Sequence, residues 1–156
     1  MATHDIDHIA RHIRPEENVS VVDITSGYGV LGLMGPQSRT LLQQLAESDL
    51  GRDVFPFGTM QDVMIAGAPV RVLRISFVGE LGYELHVPTE YLLTVFDALH
   101  DVGIEHDLMN AGYRAIDSLR LEKQFCAWGA EIGPDHSLLA AGLGFAAEQI
   151  KTDFVG

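Results

Sequence analysis

The chain has 156 residues, 47% of them apolar and 21% charged, a composition that supports one domain with a real core and argues against disorder or low complexity. Its 22 acidic residues outnumber 10 basic ones, for a formal net charge of −12. Such a surface repels phosphate backbones and anionic lipid, which speaks against nucleic-acid or membrane partners and for a small ligand or an acid-tolerant protein partner. No apolar run approaches the roughly 20 residues of a bilayer span. The single cysteine, Cys126, cannot close an internal disulfide. With no charged-then-apolar leader, the chain is expected in a cytoplasmic compartment, or in an organelle whose targeting segment is absent.

Along the chain, Asp5 to Arg14 reads as a modest helix stopped by Pro15. Val19 to Thr25 and Tyr28 to Met34 are β-branched or apolar runs about a break at Ser26-Gly27. Gly35-Pro36 opens a helix with Leu41, Leu42 and Leu45 on one face. Met60 to Ile65 and Pro69 to Phe77 alternate as strands about Ala66-Gly67-Ala68, and Tyr83 to Val87 makes a fifth. Thr89 is the expected cap of a helix carrying Leu92, Leu93, Phe96 and Leu99, and Asn110 that of a helix through about Lys123 with Ala111, Ala115, Ile116 and Leu119 inward. From Phe125 onward, glycines break any long periodicity. The pattern predicts an α+β fold, a mainly antiparallel sheet of about five strands with helices packed mostly on one face. Residues 1–18 read as N-terminal helix and linker, 19–124 as the core and 125–156 as an irregular segment.

The densest chemistry lies in Ile75–Glu84, reading ISFVGELGYE, and in Ala111–Glu122, reading AGYRAIDSLRLE. The glycines Gly79 and Gly82 permit positive φ and close backbone approach. Strand parity puts Glu84 on one face with His86, and Tyr83 with Leu85 on the other. Taken alone, Glu84 fits a solvent-facing edge strand, the common place for glutamate. Likewise Arg114, Asp117 and Arg120 fit a solvated ion-pair face at i, i+3 spacing.

Three other patterns carry less. His4, His8 and His12 recur at helical spacing, which would align three imidazoles for a metal, but no supporting shell follows; a solvent-facing helix is the expectation. Asp135-His136-Ser137 holds hydrolase residue types, yet adjacent side chains diverge, so turn chemistry is expected. Gly27 to Gly32 has the glycines of a dinucleotide fingerprint without the following helix and acidic ribose partner, which argues against FAD or NAD on this chain.

The two dense stretches, with Val30–Arg39 early and Trp128-Gly129, Pro134-Asp135-His136 and Ala141–Phe145 late, make the chain resemble the folate-binding half of the aminomethyltransferase family. That family includes the glycine-cleavage T-protein, the C-terminal regions of dimethylglycine and sarcosine dehydrogenases, and folate-dependent demethylase relatives. The dehydrogenase branch is the most similar in flavour. The resemblance implies tetrahydrofolate as the small-molecule partner and a one-carbon unit passed to it from an N-methyl amine or aminomethyl donor, giving 5,10-methylenetetrahydrofolate. A non-catalytic binding or assembly module, or a demethylase relative, are the alternatives.

By position, Glu84 matches the family's pterin-contacting glutamate and Arg114 its folate-contacting arginine. Phe77 stands where several relatives have a tyrosine beside the pterin, keeping the ring and losing the hydroxyl. Phe145 falls where some relatives have an aromatic flanking the cofactor, with a core aromatic as the alternative, and Trp128 is expected in the cavity or the core. Arg120 and Glu122 match structural positions. Leu138 and Ala140 replace a proline and a glutamate usual in relatives. The family's catalytic aspartate has no counterpart, since the chain begins downstream of that region and stops before the C-terminal β domain. The expectation is therefore a piece of a longer protein with no catalytic residue of its own. FAD would sit on a separate or missing flavin domain. Surfaces bared by missing neighbours suggest a homo-oligomer, most simply a two-fold homodimer.

Overall fold

The computed structural model describes residues 2–146. The chain forms two compact units, one of Ser26–Ala127 and the other of the segments on either side. In the flanking unit, α1 (Ala2–His12) buries no residue; Asp7 pairs with Arg11, and Glu17 with Arg14 beyond the helix end. His12 Nδ1 donates to the His8 carbonyl at 2.7 Å, as expected of imidazoles on a wetted helix face.

The larger unit is built on a four-stranded antiparallel sheet, ordered β1 (Tyr28–Met34), β4 (Gly82–Pro88), β3 (Ala68–Leu73) and β2 (Met60–Ile65). Ile65 pairs with Ala68 across a two-residue turn. Ala66 and Gly67 both take positive φ, 50° and 76°, matching the hairpin turn whose twist suits the flanking strands. Alternation then sorts the side chains. Leu33, Val63, Ile65, Val70, Val72, Tyr83, Leu85 and Val87 lie within the buried cluster, where Leu41 and Leu42 of α2 (Ser38–Gln43) and Val95 and Leu99 of α3 (Leu92–Gly103) meet them. The opposite face carries the cross-strand row Val30, His86, Arg71 and Asp62, with Arg71 Nε donating to Asp62 at 3.0 Å. That bond raises the Arg71 pKa above its ordinary value.

The α+β architecture and its helix-covered face are as read from the sequence, but the strands number four among the described residues. Val19–Thr25 forms no strand. The Asp23 carboxylate accepts the hydroxyl of Thr25 at 2.6 Å and its N–H at 2.9 Å, which turns the chain into a short 3-10 turn at Thr25–Gly27 and holds the Asp23 pKa below its usual range. β3 ends at Leu73, because Arg74 turns inward to donate to the Phe55 carbonyl.

The helix caps also differ. Thr89 donates to the Ser26 carbonyl and begins a 3-10 turn ahead of α3, while Asn110 faces His100 and leaves Gly112 to open α4 (Tyr113–Glu122). On α3, Val95 takes the buried place expected of Leu93, which is exposed. On α4, Ala115 and Leu119 are exposed and Arg120 is the buried residue.

Phe55 is fully buried, its ring 5.9 Å from that of Tyr83. Phe55→Ala should therefore cost about 3–5 kcal/mol, the range for deleting a core aromatic, read from the urea midpoint. A loss under about 1 kcal/mol would mean that the Phe55 site collapses or that the ring is not a core element.

Candidate functional site

A cleft of about 590 Å³ lies in the larger unit, between β1, the turn after β3, and the α3–α4 region. Its position follows from the strand that carries it. Parity on β4 directs Tyr83, Leu85 and Val87 into the core and leaves Glu84 on the other face, opposite Gly32 of β1. A glycine there leaves room over the edge strand that a side chain would take. From the turn come Phe77 and Val78, placed by a loop in which Gly79 has φ +74°. A Cβ on Gly79 would also meet the Lys123 side chain at 2.3 Å, so this position is doubly suited to glycine.

Most of the wall is apolar, with Leu31, Leu33, Phe96, Leu99, Ile116 and Leu119 among its members. Glu84 is the one carboxylate in the lining and His100 the one imidazole. The Glu84 side chain is about a third exposed, and Glu84 Oε2 stands 3.6 Å from His86 Nε2, too long for a hydrogen bond. His86 Nε2 itself is buried without a hydrogen-bond partner. His100 Nε2 lies 3.1 Å from Asn110 Oδ1, and its ring packs on Phe96 with centroids 4.4 Å apart. The cleft can thus receive a flat apolar body, with a carboxylate acceptor at one point and a polar His100–Asn110 pair at another.

Of the four residues singled out in the sequence, two meet here. Glu84 and Phe77 both line the cleft, and Phe77 stacks near Phe125 with centroids 6.5 Å apart. Arg114 is exposed in the first turn of α4 and is not among the lining residues, although Ala111 and Ile116 on either side of it are. Asp117 pairs with Arg120 rather than with Arg114; Arg120, buried, also donates through Nη1 to the Phe125 carbonyl at 3.0 Å. Phe145 belongs to the other unit and is 87% exposed, and Trp128, also in that unit, is not buried. The His100–Asn110 pair was missed in the sequence because Asn110 looked like a helix cap. Its signal was the Phe96 and His100 spacing on α3, one helical turn apart. Among the described residues, no group of three or more His, Cys, Asp or Glu side chains is placed to hold a metal, and no helix is long and apolar enough to cross a membrane.

An apolar cleft with a single carboxylate is set against an antiparallel sheet in a domain of α+β class, the kind of concave surface on which small ligands bind. Comparison with known proteins narrows this: the chain belongs to the GCVT N-terminal domain family, whose model matches residues 1–151. It is 45% identical to mouse (Mus musculus) mitochondrial sarcosine dehydrogenase over 97% of its own length and 16% of that protein. It is 39% identical to human (Homo sapiens) mitochondrial dimethylglycine dehydrogenase, over 98% of this chain and 18% of the other. An aminomethyltransferase of Symbiobacterium thermophilum is 36% identical over 89% of this chain and 38% of its own length. The chain therefore spans less than a fifth of the two dehydrogenases. Both are mitochondrial by name. Among solved structures, the heterotetrameric sarcosine oxidase of Corynebacterium sp. U-96 shares the fold, with a TM-score of 0.54 and 21% identity over 63% of this chain and 49% of that one.

Proposed function

We propose that the Glu84 cleft binds tetrahydrofolate and that the chain serves as the folate-binding part of an enzyme that passes a one-carbon unit from an N-methyl amine or aminomethyl donor to that cofactor. The observation that supports this most is the placement of Glu84 as the only carboxylate in an apolar cleft with Phe77 beside it, in a chain of this family. A pterin edge offers two adjacent N–H donors, which a carboxylate accepts as a charge-assisted pair. Phe77 gives a ring for stacking, and the apolar walls exclude water from the heterocycle. In this reading the site works by positioning, holding the folate nitrogens where the one-carbon donor arrives so that transfer becomes effectively intramolecular. The sarcosine and dimethylglycine dehydrogenase relatives favour an N-methyl amine as the donor's source. Arg114, which has no ion pair among the described residues, is assigned to the part of the cofactor that projects from the mouth of the cleft.

Exposed Phe77 and Met109 leave that mouth broad, so tetrahydrofolate should bind with micromolar or weaker affinity. In titration calorimetry, Glu84→Gln should weaken binding by about 1–3 kcal/mol. Unchanged affinity would remove Glu84 from the site. Arg114→Lys should impair binding nearly as much as Arg114→Ala, because both lose the planar fork, with melting temperatures unmoved since the side chain is exposed. Melting that falls while affinity holds would make Arg114 structural instead.

The same reading includes the expected two-fold self-assembly, supported by Tyr28, Met60 and Met64, apolar side chains left exposed on β1 and β2. Light scattering at micromolar concentration should give a mass of two chains, and the mass of one chain would set self-assembly aside.

A further inference from the structure

Three arginines far apart in sequence converge on a second cavity of about 730 Å³, which shares no lining residue with the Glu84 cleft. Arg39 comes from the start of α2, Arg52 from the loop before β2, and Arg74 from the residue after β3. Arg39 donates through Nε to the Tyr83 hydroxyl at 3.1 Å, while its Nη2 is buried with no partner. Arg74 donates through Nη1 to the Phe55 carbonyl at 2.8 Å, and its Nε is likewise buried with no partner. Arg52 is exposed and makes no ion pair among the described residues. The one carboxylate in the lining, Asp53, pairs with none of the three.

Four of the chain's other arginines are treated differently. Arg11, Arg14, Arg71 and Arg120 are each held by an aspartate or glutamate, as suits a protein with 22 acids and 10 bases. Bringing three guanidinium groups to one cavity with a single carboxylate leaves net positive charge there, and two buried donors unsatisfied. Both conditions are unfavourable until an anion supplies the missing charge and acceptors. Tyr83 and Phe55 are fully buried, so Arg39 and Arg74 are anchored on the rigid core and aimed rather than free. Guanidinium is also the group best suited to paired hydrogen bonds with carboxylate or phosphate oxygens. The cavity is much larger than one such oxyanion, and Pro56 and exposed Phe57 at its wall offer an apolar surface.

We propose that the Arg39, Arg52 and Arg74 cavity is a binding site for the anionic end of a small organic molecule, a carboxylate or a phosphate ester. The oxyanion bridges the three guanidinium groups, and the organic body rests on Phe57 and Pro56.

The test is titration of the 156-residue chain with inorganic phosphate and, separately, with glutarate, following the arginine Nε–H resonances by NMR. Saturable shifts of Arg39 and Arg74 are expected with at least one probe. Saturation by phosphate alone identifies a phosphate group, by glutarate alone a carboxylate, and by both a general oxyanion site. Arg52→Ala, at an exposed position that leaves the fold intact, should weaken that binding by about tenfold, the loss of one charge-assisted contact. Glu84→Gln should leave it unchanged, which separates this site from the folate reading. Absence of saturation with either probe, or saturation equally strong in Arg52→Ala, would overturn the proposal.

Discussion

The alternation of β4 is the constraint on which the remaining structure depends. Central in the sheet and paired on both sides, Gly82–Pro88 must bury Tyr83, Leu85 and Val87, and the two-residue period then forces Glu84 and His86 to the other face. A slip of one residue would place a carboxylate in the core and a tyrosine in solvent, so the hydrophobic set on this strand fixes the position of Glu84. The same parity sends the Tyr83 hydroxyl to Arg39. One strand thus orients a carboxylate toward the apolar cleft and a guanidinium toward the cationic cavity, and the burial of its core side chains stabilises both placements.

Around that strand, glycines allow the close approaches the cleft requires. Gly32 faces Glu84 without a side chain to cover it, and Gly79 holds a positive φ in the turn that presents Phe77. Arg120 has a complementary role: tied to Asp117 and to the Phe125 carbonyl, it fastens the end of α4 to the chain that carries Phe125, the stacking neighbour of Phe77. The division of labour among the arginines is a matter of burial. Arg120, almost wholly buried, needs a carboxylate to offset its desolvation, whereas exposed Arg114 and Arg52 remain hydrated and available.

Much of this was legible in the sequence. The β1–β4 runs, the Ala66-Gly67 turn and the face of Glu84 all follow from period-2 alternation and glycine placement, which are local signals. Where local hydrogen bonds compete, the same signals fail. Val19–Thr25 has the β-branched composition of a strand, but Asp23 captures Thr25 and the segment has no strand to pair with among the described residues. Asn110 has the chemistry of a helix cap, yet His100 is a nearer partner. On α4 the apolar spacing pointed inward at Ala115 and Leu119, and only the folded chain distinguishes a wall of an open cleft from a buried core. The convergence of Arg39, Arg52 and Arg74 has no local signature at all, because it is created by the packing of α2 against β4 and by the turn after β3.

The central claim is that the cleft beside β4 is a folate site. Backbone amide shift mapping by NMR, with tetrahydrofolate added to the chain, tests it most directly. The account predicts perturbations at Gly32, Val78, Glu84 and Asn110, around the cleft, and none at Asp62 or Met64 on the far strand β2. Shifts gathered on β2, or a titration that moves no residue lining the cleft, would contradict it.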